Sequence, residues 1–280
     1  MRTLWNYIDV LKPRETALLT YIGLCAAAVA AEGSPSAWPL AGVFGAVLLG
    51  SGGCNGLTNY LDRNVDVQML RTCGRALPTQ RIHPPEKMLP LAVGLVTGAL
   101  ILAWFLHPLC FVFGLAGTIA SVVYRKRAMC VFQGMIAGCA PVLIGYLAVT
   151  TDINWTILFM CLLIAAWIPL HVWSVMIARR DEYVKANIAF FPLTMENTRS
   201  IKLLFVLSIL LYAISLALWH VAGFGWFFFA IANITGVMMV LAGFRLVRNM
   251  ESADSWRLYK ISSFPYLGII FLAMCINFWI

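Results

Sequence analysis

Nine long apolar runs divide this chain, and its twenty Lys and Arg residues all fall on alternate connections between them. The runs are 16–31, 37–61, 88–106, 108–124, 130–150, 154–178, 201–219, 225–244 and 263–280. Residues 1–15 hold three cations, 62–87 five, 125–127 three, 179–202 five and 245–262 four, whereas 32–36, 107, 151–153 and 220–224 hold none. A helix needs roughly 20 mostly apolar residues to cross a bilayer. The runs show no period-2 alternation, so helices and not barrel strands satisfy their backbone in lipid. The expected fold is therefore an all-α polytopic membrane protein with nine transmembrane helices. By the positive-inside rule the cationic face is cytoplasmic, which places the N-terminus inside and, with an odd number of spans, the C-terminus outside.

Composition closes the other routes. Hydrophobic residues make up 61% of the 280 and charged residues 11%, against about 25% charged in a soluble domain. That excludes a soluble enzyme, a secreted disulfide scaffold, a disordered chain and a nucleic-acid binder. The eight cysteines contain no C-x-x-C pair and lie mostly in apolar runs, so they read as small buried residues. The first apolar run is followed by further spans and carries no convincing cleavage site, which argues against a removable signal.

The acids are as asymmetric as the bases: only Glu32 and Asp152 fall on the outer side. The informative stretch runs from Cys54 to Asp66, at the cytoplasmic end of the second run. At 3.6 residues per turn, Asn55, Asn59, Asp62 and Asp66 share a wedge of roughly 60° and form a polar stripe about 16 Å long. Gly52, Gly53 and Gly56 beside it allow neighbouring helices to approach. Two carboxylates one turn apart repel unless a cation joins them. Oxygen ligands without sulfur favour Mg²⁺, which binds through one or two carboxylates plus substrate phosphates. Asp62 and Asp66 are thus candidate metal ligands and catalytic residues.

Further cations occur at Arg63, Arg71, Arg75 and Arg81, and at Lys126 and Arg127 after Tyr124. Basic groups beside carboxylates suit a phosphate-bearing substrate. A second cluster, Arg179-Arg180-Asp181-Glu182-Tyr183, closes the sixth run downstream of His171. The two acidic clusters lie four spans apart and suggest two similar halves sharing one site, with Asp181 and Glu182 as further metal ligands. The same two acids could instead pair with Arg179 and Arg180 in interfacial salt bridges. An unbroken sixth helix would place His171 and Glu182 on one face, about 16 Å apart.

The stretch Asn55–Asp66 resembles the first acidic motif of the UbiA-type intramembrane prenyltransferases, and Arg71-Thr72-Cys73-Gly74-Arg75-Ala76-Leu77-Pro78 resembles the basic run next to that motif in the same superfamily. Within the superfamily the chain is similar to the protohaem IX farnesyltransferase branch. The residues that carry this are Leu11-Lys12-Pro13-Arg14, Tyr124 with Lys126-Arg127, Ala140–Tyr146, His171-Val172-Trp173, Arg179–Tyr183 and Ala186-Asn187-Ile188. Thr58 stands where the motif has its Asn, Asn64 replaces the middle acid, and Ile188-Ala189-Phe190-Phe191-Pro192 lacks one proline.

The resemblance implies one prenyltransferase domain over 1–280, built around a central cavity, with cytoplasmic catalytic loops at about 62–87 and 179–202. It implies Mg²⁺ on Asp62, Asp66, Asp181 and Glu182, and a farnesyl diphosphate site drawn from Asn55, Asn59, Arg63, Arg71, Arg75, Tyr124, Lys126, Arg127 and Arg179. It implies haem B as acceptor, with His171 as a candidate axial ligand and small residues at Gly134, Ala137, Gly138 and Ala140 making room for the porphyrin. The implied setting is the lipid of a prokaryotic plasma membrane, with haem A synthase or terminal oxidase as assembly partners. Three alternatives remain open from the residues: prenylation of an aromatic quinone precursor, a transporter, and a structural subunit. His171 could equally bond a neighbouring helix.

Overall fold

The computed structural model describes residues 2–123, 130–188 and 191–280, and all its regular structure is helical. A short amphipathic helix α1 (Arg2–Val10) precedes α2 (Pro13–Ala30) and α3 (Ala37–Asp66). Then come α4 (Met88–Leu106), α5 (Pro108–Val122), α6 (Cys130–Leu147) and α7 (Trp155–Ala178). A six-residue helix α8 (Arg180–Lys185) leads to α9 (Asn197–Ala222), α10 (Trp226–Asn249), α11 (Ser252–Ile261) and α12 (Ile269–Ile276). Among the described residues six helical stretches are long and apolar enough to cross a membrane, including 37–66, 155–178 and 252–276, and Pro108–Val122 and Val131–Leu147 are shorter apolar helices.

Local chemistry fixes most ends. Pro13 and Pro108 stand in the first turns of α2 and α5, where the missing N–H costs nothing. The His107 side chain accepts from Leu109 N, and Asn154 accepts from Ile157 N and exchanges hydrogen bonds with Tyr146. Gly223, at φ +65°, closes α9. Two segments expected as connections are helical. Residues 2–10 form α1, and 252–261 form α11, whose Asp254, Ser255 and Leu258 are buried where it packs on α7 and α10. The backbone between α11 and α12 kinks at Ser263, just before Pro265. Pro265 cannot donate to the preceding turn.

The helices pack as a ring. Helix α2 touches α3, α6 and α12, so the first span meets the last. Tyr21 donates to Gly268 O at 2.9 Å, and Trp279 Nε1 donates to Gly33 O at 3.0 Å. Glycine is required where α2 crosses α6, because a Cβ on Gly145 would fall on the Gly23 carbonyl. It is required again at Gly53, where a Cβ would lie 2.8 Å from Ala92 O. Gly134 and Gly138 have a different use from the one expected. Ile164 and Ile168 of α7 fill the space beside Gly138, and Ala140 packs on Gly117, so these small residues seat helices and do not widen a pocket.

One continuous apolar core links α2, α6, α7, α9, α10 and α12, while Ile101, Phe105, Ile136, Ile234 and Leu241 face outward. Buried hydroxyls return to their own helix: Thr20, Ser174, Ser208 and Ser215 each donate to the carbonyl four residues back. That is the arrangement an apolar surround demands.

Candidate active site

Helix α3 continues to Asp66, so the stripe is helical along its whole length. Asn59, Asp62 and Asp66 are buried, and Asn55 is half-buried. Asn55 Nδ2 donates to Thr16 Oγ1 at 3.1 Å, and Thr16 in turn donates to Leu11 O. Asn59 Nδ2 donates to Val10 O at 2.6 Å, which ties the end of α1 to the site. Its other atom, Oδ1, accepts from Arg75 at 3.1 Å, and the same guanidinium nitrogen pairs with Asp66 Oδ2 at 2.9 Å. The buried Thr72 hydroxyl donates to Asp66 O, which folds the loop back over the helix end. Asp9, Asn59, Asp66 and Arg75 line a small cavity floored by Leu77 and Pro78.

The second cluster is arranged otherwise than an unbroken helix would give. The chain breaks at Arg179 (φ −121°, ψ 29°), so α8 starts a new direction and His171 and Glu182 do not share one helical face. Arg179 pairs with Glu182 Oε1 at 3.2 Å and lies 5.1 Å over the Trp256 ring. Glu182 Oε2 is buried with no hydrogen-bond partner among the described residues. Asp181 is exposed. Arg180 holds the 193–195 segment through the carbonyls of Leu193 and Met195. A small apolar cluster of Val65, Met69, Tyr183, Ala186 and Ile188 joins the connection after α3 to α8 and so brings both acidic segments to the same end of the bundle.

Arg63 turns away from the stripe, donating to Tyr60 O at 2.7 Å and stacking over the Tyr60 ring. Arg71 is exposed, though its charge and that of Glu15 both reach Tyr259. Tyr124, Lys126 and Arg127 lie outside the described residues, as do Ala189 and Phe190 of the segment after Ile188.

Among the described residues no three of His, Cys, Asp and Glu converge on a single metal-sized point. The expected four-carboxylate set is therefore not gathered. The donors still suit a hard divalent cation: two buried carboxylates on one stripe, an orphaned buried carboxylate oxygen on Glu182, and no thiolate among them. Mg²⁺ needs only one or two protein carboxylates when phosphates and waters complete its shell.

His171 sits deeper, between two rings. Its centroid is 4.5 Å from Trp167 at 23° and 4.4 Å from Tyr259 at 35°. Tyr259 stacks on Trp256 at 4.9 Å, so four rings run inward from beneath Arg179. His171 Nδ1 lies 2.9 Å from Ser262 Oγ, so the ring does bond a neighbouring helical segment. Thr16, Trp167, Tyr259 and Ser262 are the site residues that sequence reasoning missed. The available signals were a threonine opening an apolar run and a serine pair two residues before Pro265.

The UbiA prenyltransferase family profile matches residues 17–264. A protoheme IX farnesyltransferase of Desulforudis audaxviator is 31% identical over 281 residues, covering 98% of this chain and 88% of that one. A solved structure from work on digeranylgeranylglyceryl phosphate synthase in membranes superposes with a TM-score of 0.81 at 14% identity, over 99% of both chains. A UbiA homolog from Archaeoglobus fulgidus, bound to GPP and Mg²⁺, gives a TM-score of 0.66 at 14% identity, over 96% of this chain and 99% of that one.

Proposed function

The chain belongs to the UbiA prenyltransferase family, and on that footing we propose that it farnesylates a vinyl group of haem B, giving haem O and diphosphate. It is an integral membrane protein. The observation that carries the donor half is the buried Asn59–Asp62–Asp66 stripe with Arg75 laid across it. The acceptor rests on the near full-length relative.

Asp62, Asp66 and Glu182 would hold Mg²⁺, with the exposed Asp181 beside them. The ion would supply neutralisation of the diphosphate oxygens. Arg75 and Arg71 orient the diphosphate as a leaving group. The allylic C–O bond breaks with its electron pair going to diphosphate. The vinyl π electrons then bond the farnesyl cation, and the resulting porphyrin-side cation takes water and loses a proton, leaving a hydroxyethylfarnesyl group. Apolar helix walls keep stray water from the allylic cation. His171 places the porphyrin through its iron.

Nine spans in two related halves, with cationic loops in the cytoplasm of a prokaryotic cell, complete the reading. Residues 1–280 act as one domain, and Lys126 and Arg127 join the diphosphate side. Haem A synthase or a terminal oxidase is the class of assembly partner that consumes the product.

Membranes carrying the chain, given labelled farnesyl diphosphate, Mg²⁺ and haem B, should yield labelled haem O, and chelator should stop the reaction. Labelling of an aromatic acid with haem B ignored would replace the acceptor. Full turnover in excess chelator would remove the metal.

A further inference from the structure

Ser262 Oγ has one proton and two close neighbours. It lies 2.8 Å from Tyr259 O, which can only accept, and 2.9 Å from His171 Nδ1. A hydroxyl donating to Nδ1 would face the carbonyl oxygen lone pair to lone pair. Both contacts are satisfied in only one arrangement, with Ser262 donating to Tyr259 O and accepting from His171 Nδ1–H. Because a neutral imidazole carries one proton, Nε2 then holds the free lone pair. Trp167 and Tyr259 cover the ring faces, and the Trp167 Nε1–H is anchored on Ser262 O, so the ring cannot turn over and exchange its nitrogens without breaking the stack.

The kink makes this possible. Ser262 is fully buried where the backbone leaves helical geometry at Ser263, and the Tyr259 carbonyl also accepts from Ser263 Oγ at 3.1 Å. Metal-binding histidines commonly have their second nitrogen held by such a partner, which fixes the tautomer.

We propose that Ser262 is a positioning residue for the acceptor, holding His171 as the Nδ1–H tautomer so that Nε2 is the nitrogen offered to the haem iron. This rests on haem B being the acceptor. It adds the residue that determines which nitrogen binds, and hence how far the porphyrin stands from α7.

The test begins with the intact protein in nanodiscs, labelled with ¹⁵N-histidine. The chain has four histidines, and His171→Gln identifies the His171 signal by its loss. The wild type should show the proton on Nδ1. Ser262→Ala should give a mixture of tautomers and raise KM for haem B on the order of tenfold, within the range of outer-shell losses at metal sites, with KM for farnesyl diphosphate unchanged. The kink should survive that change, because Ser263 still serves Tyr259 O. Ser262→Thr should restore both the tautomer and KM.

A wild-type proton on Nε2 overturns the Ser262 assignment with the haem reading intact. So does a Ser262→Ala variant with unchanged tautomer and haem KM. If His171→Gln binds haem with an unaltered optical spectrum and KM, iron ligation is overturned instead, even where the Nδ1–H signal is present.

Discussion

Replacing Arg75 with Met removes a cation from a buried carboxylate while keeping most of the side chain's apolar bulk. The guanidinium lies 2.9 Å from Asp66 Oδ2, and the two side chains are 26% and 2% exposed. Truncating one partner of a buried ion pair costs about 3–5 kcal/mol. Arg75 is a quarter exposed, so the lower end, about 3 kcal/mol, is the expected loss in metal-free buffer. At about 2–4 °C per kcal/mol for a chain of this class, the melting midpoint falls by about 6–12 °C. Scanning fluorimetry in detergent at one fixed scan rate measures it.

A divalent cation should then reverse much of the loss, because Arg75 no longer competes for Asp66. Mg²⁺ at a hundred times its Kd adds about 2.7 kcal/mol. The shift on adding Mg²⁺ should be larger in Arg75→Met than in the wild type. Equal midpoints without metal would refute the structural role of the pair. Equal Mg²⁺ shifts in both proteins would refute the idea that Arg75 and the metal compete for one carboxylate.

Asp62→Ala and Asp66→Ala should each abolish prenyl transfer while the protein still inserts, as measured by membrane-fraction yield and a product assay at saturating Mg²⁺. Gly53→Ala should lose about 1–3 kcal/mol through overpacking against α4, whereas Gly52→Ala, whose added carbon would meet nothing nearer than 3.9 Å, should be close to neutral in the same melting assay. In a background that keeps only Cys73 of the native cysteines, cysteines introduced at Ser34 and Val221 should react with an impermeant maleimide only from the outer side, with Cys73 as the cytoplasmic control. Labelling of Ser34→Cys from the cytoplasm would break the proposed topology.

The polar stripe was legible because it is local. Asn55, Asn59, Asp62 and Asp66 keep helical spacing on one unbroken helix, so periodicity alone aligned them. Arg75 was legible as charge but not as geometry, since its partners depend on how 67–78 folds back. The break at Arg179 left no sequence mark, because Arg179-Arg180-Asp181-Glu182 contains no glycine or proline. The surroundings of His171 were mostly hidden. His171 and Ser262 are 91 positions apart, and tertiary packing of α11 and the kinked segment after it on α7 joins them. Gly134 and Gly138 show the limit of composition: small residues mark either a pocket or a tight crossing, and Ile164 and Ile168 determined which.

The polar stripe, Arg75, the Val10 carbonyl that Asn59 grips and the apolar cluster of Val10, Ala76, Leu77, Ile82, Met88 and Ala92 all come from the first 92 residues. A ribosome delivers that segment before any residue of the ring stack exists. The Asp62–Asp66 side of the proposed diphosphate site is held by contacts local in sequence, so it can form before the ring stack does. His171 must wait for Ser262, which is added almost at the end. An arrested chain that stops before α11 would hold the polar stripe and Arg75 in place while the His171 imidazole was still unheld, so on the proposed reading the two substrate sites would form in sequence.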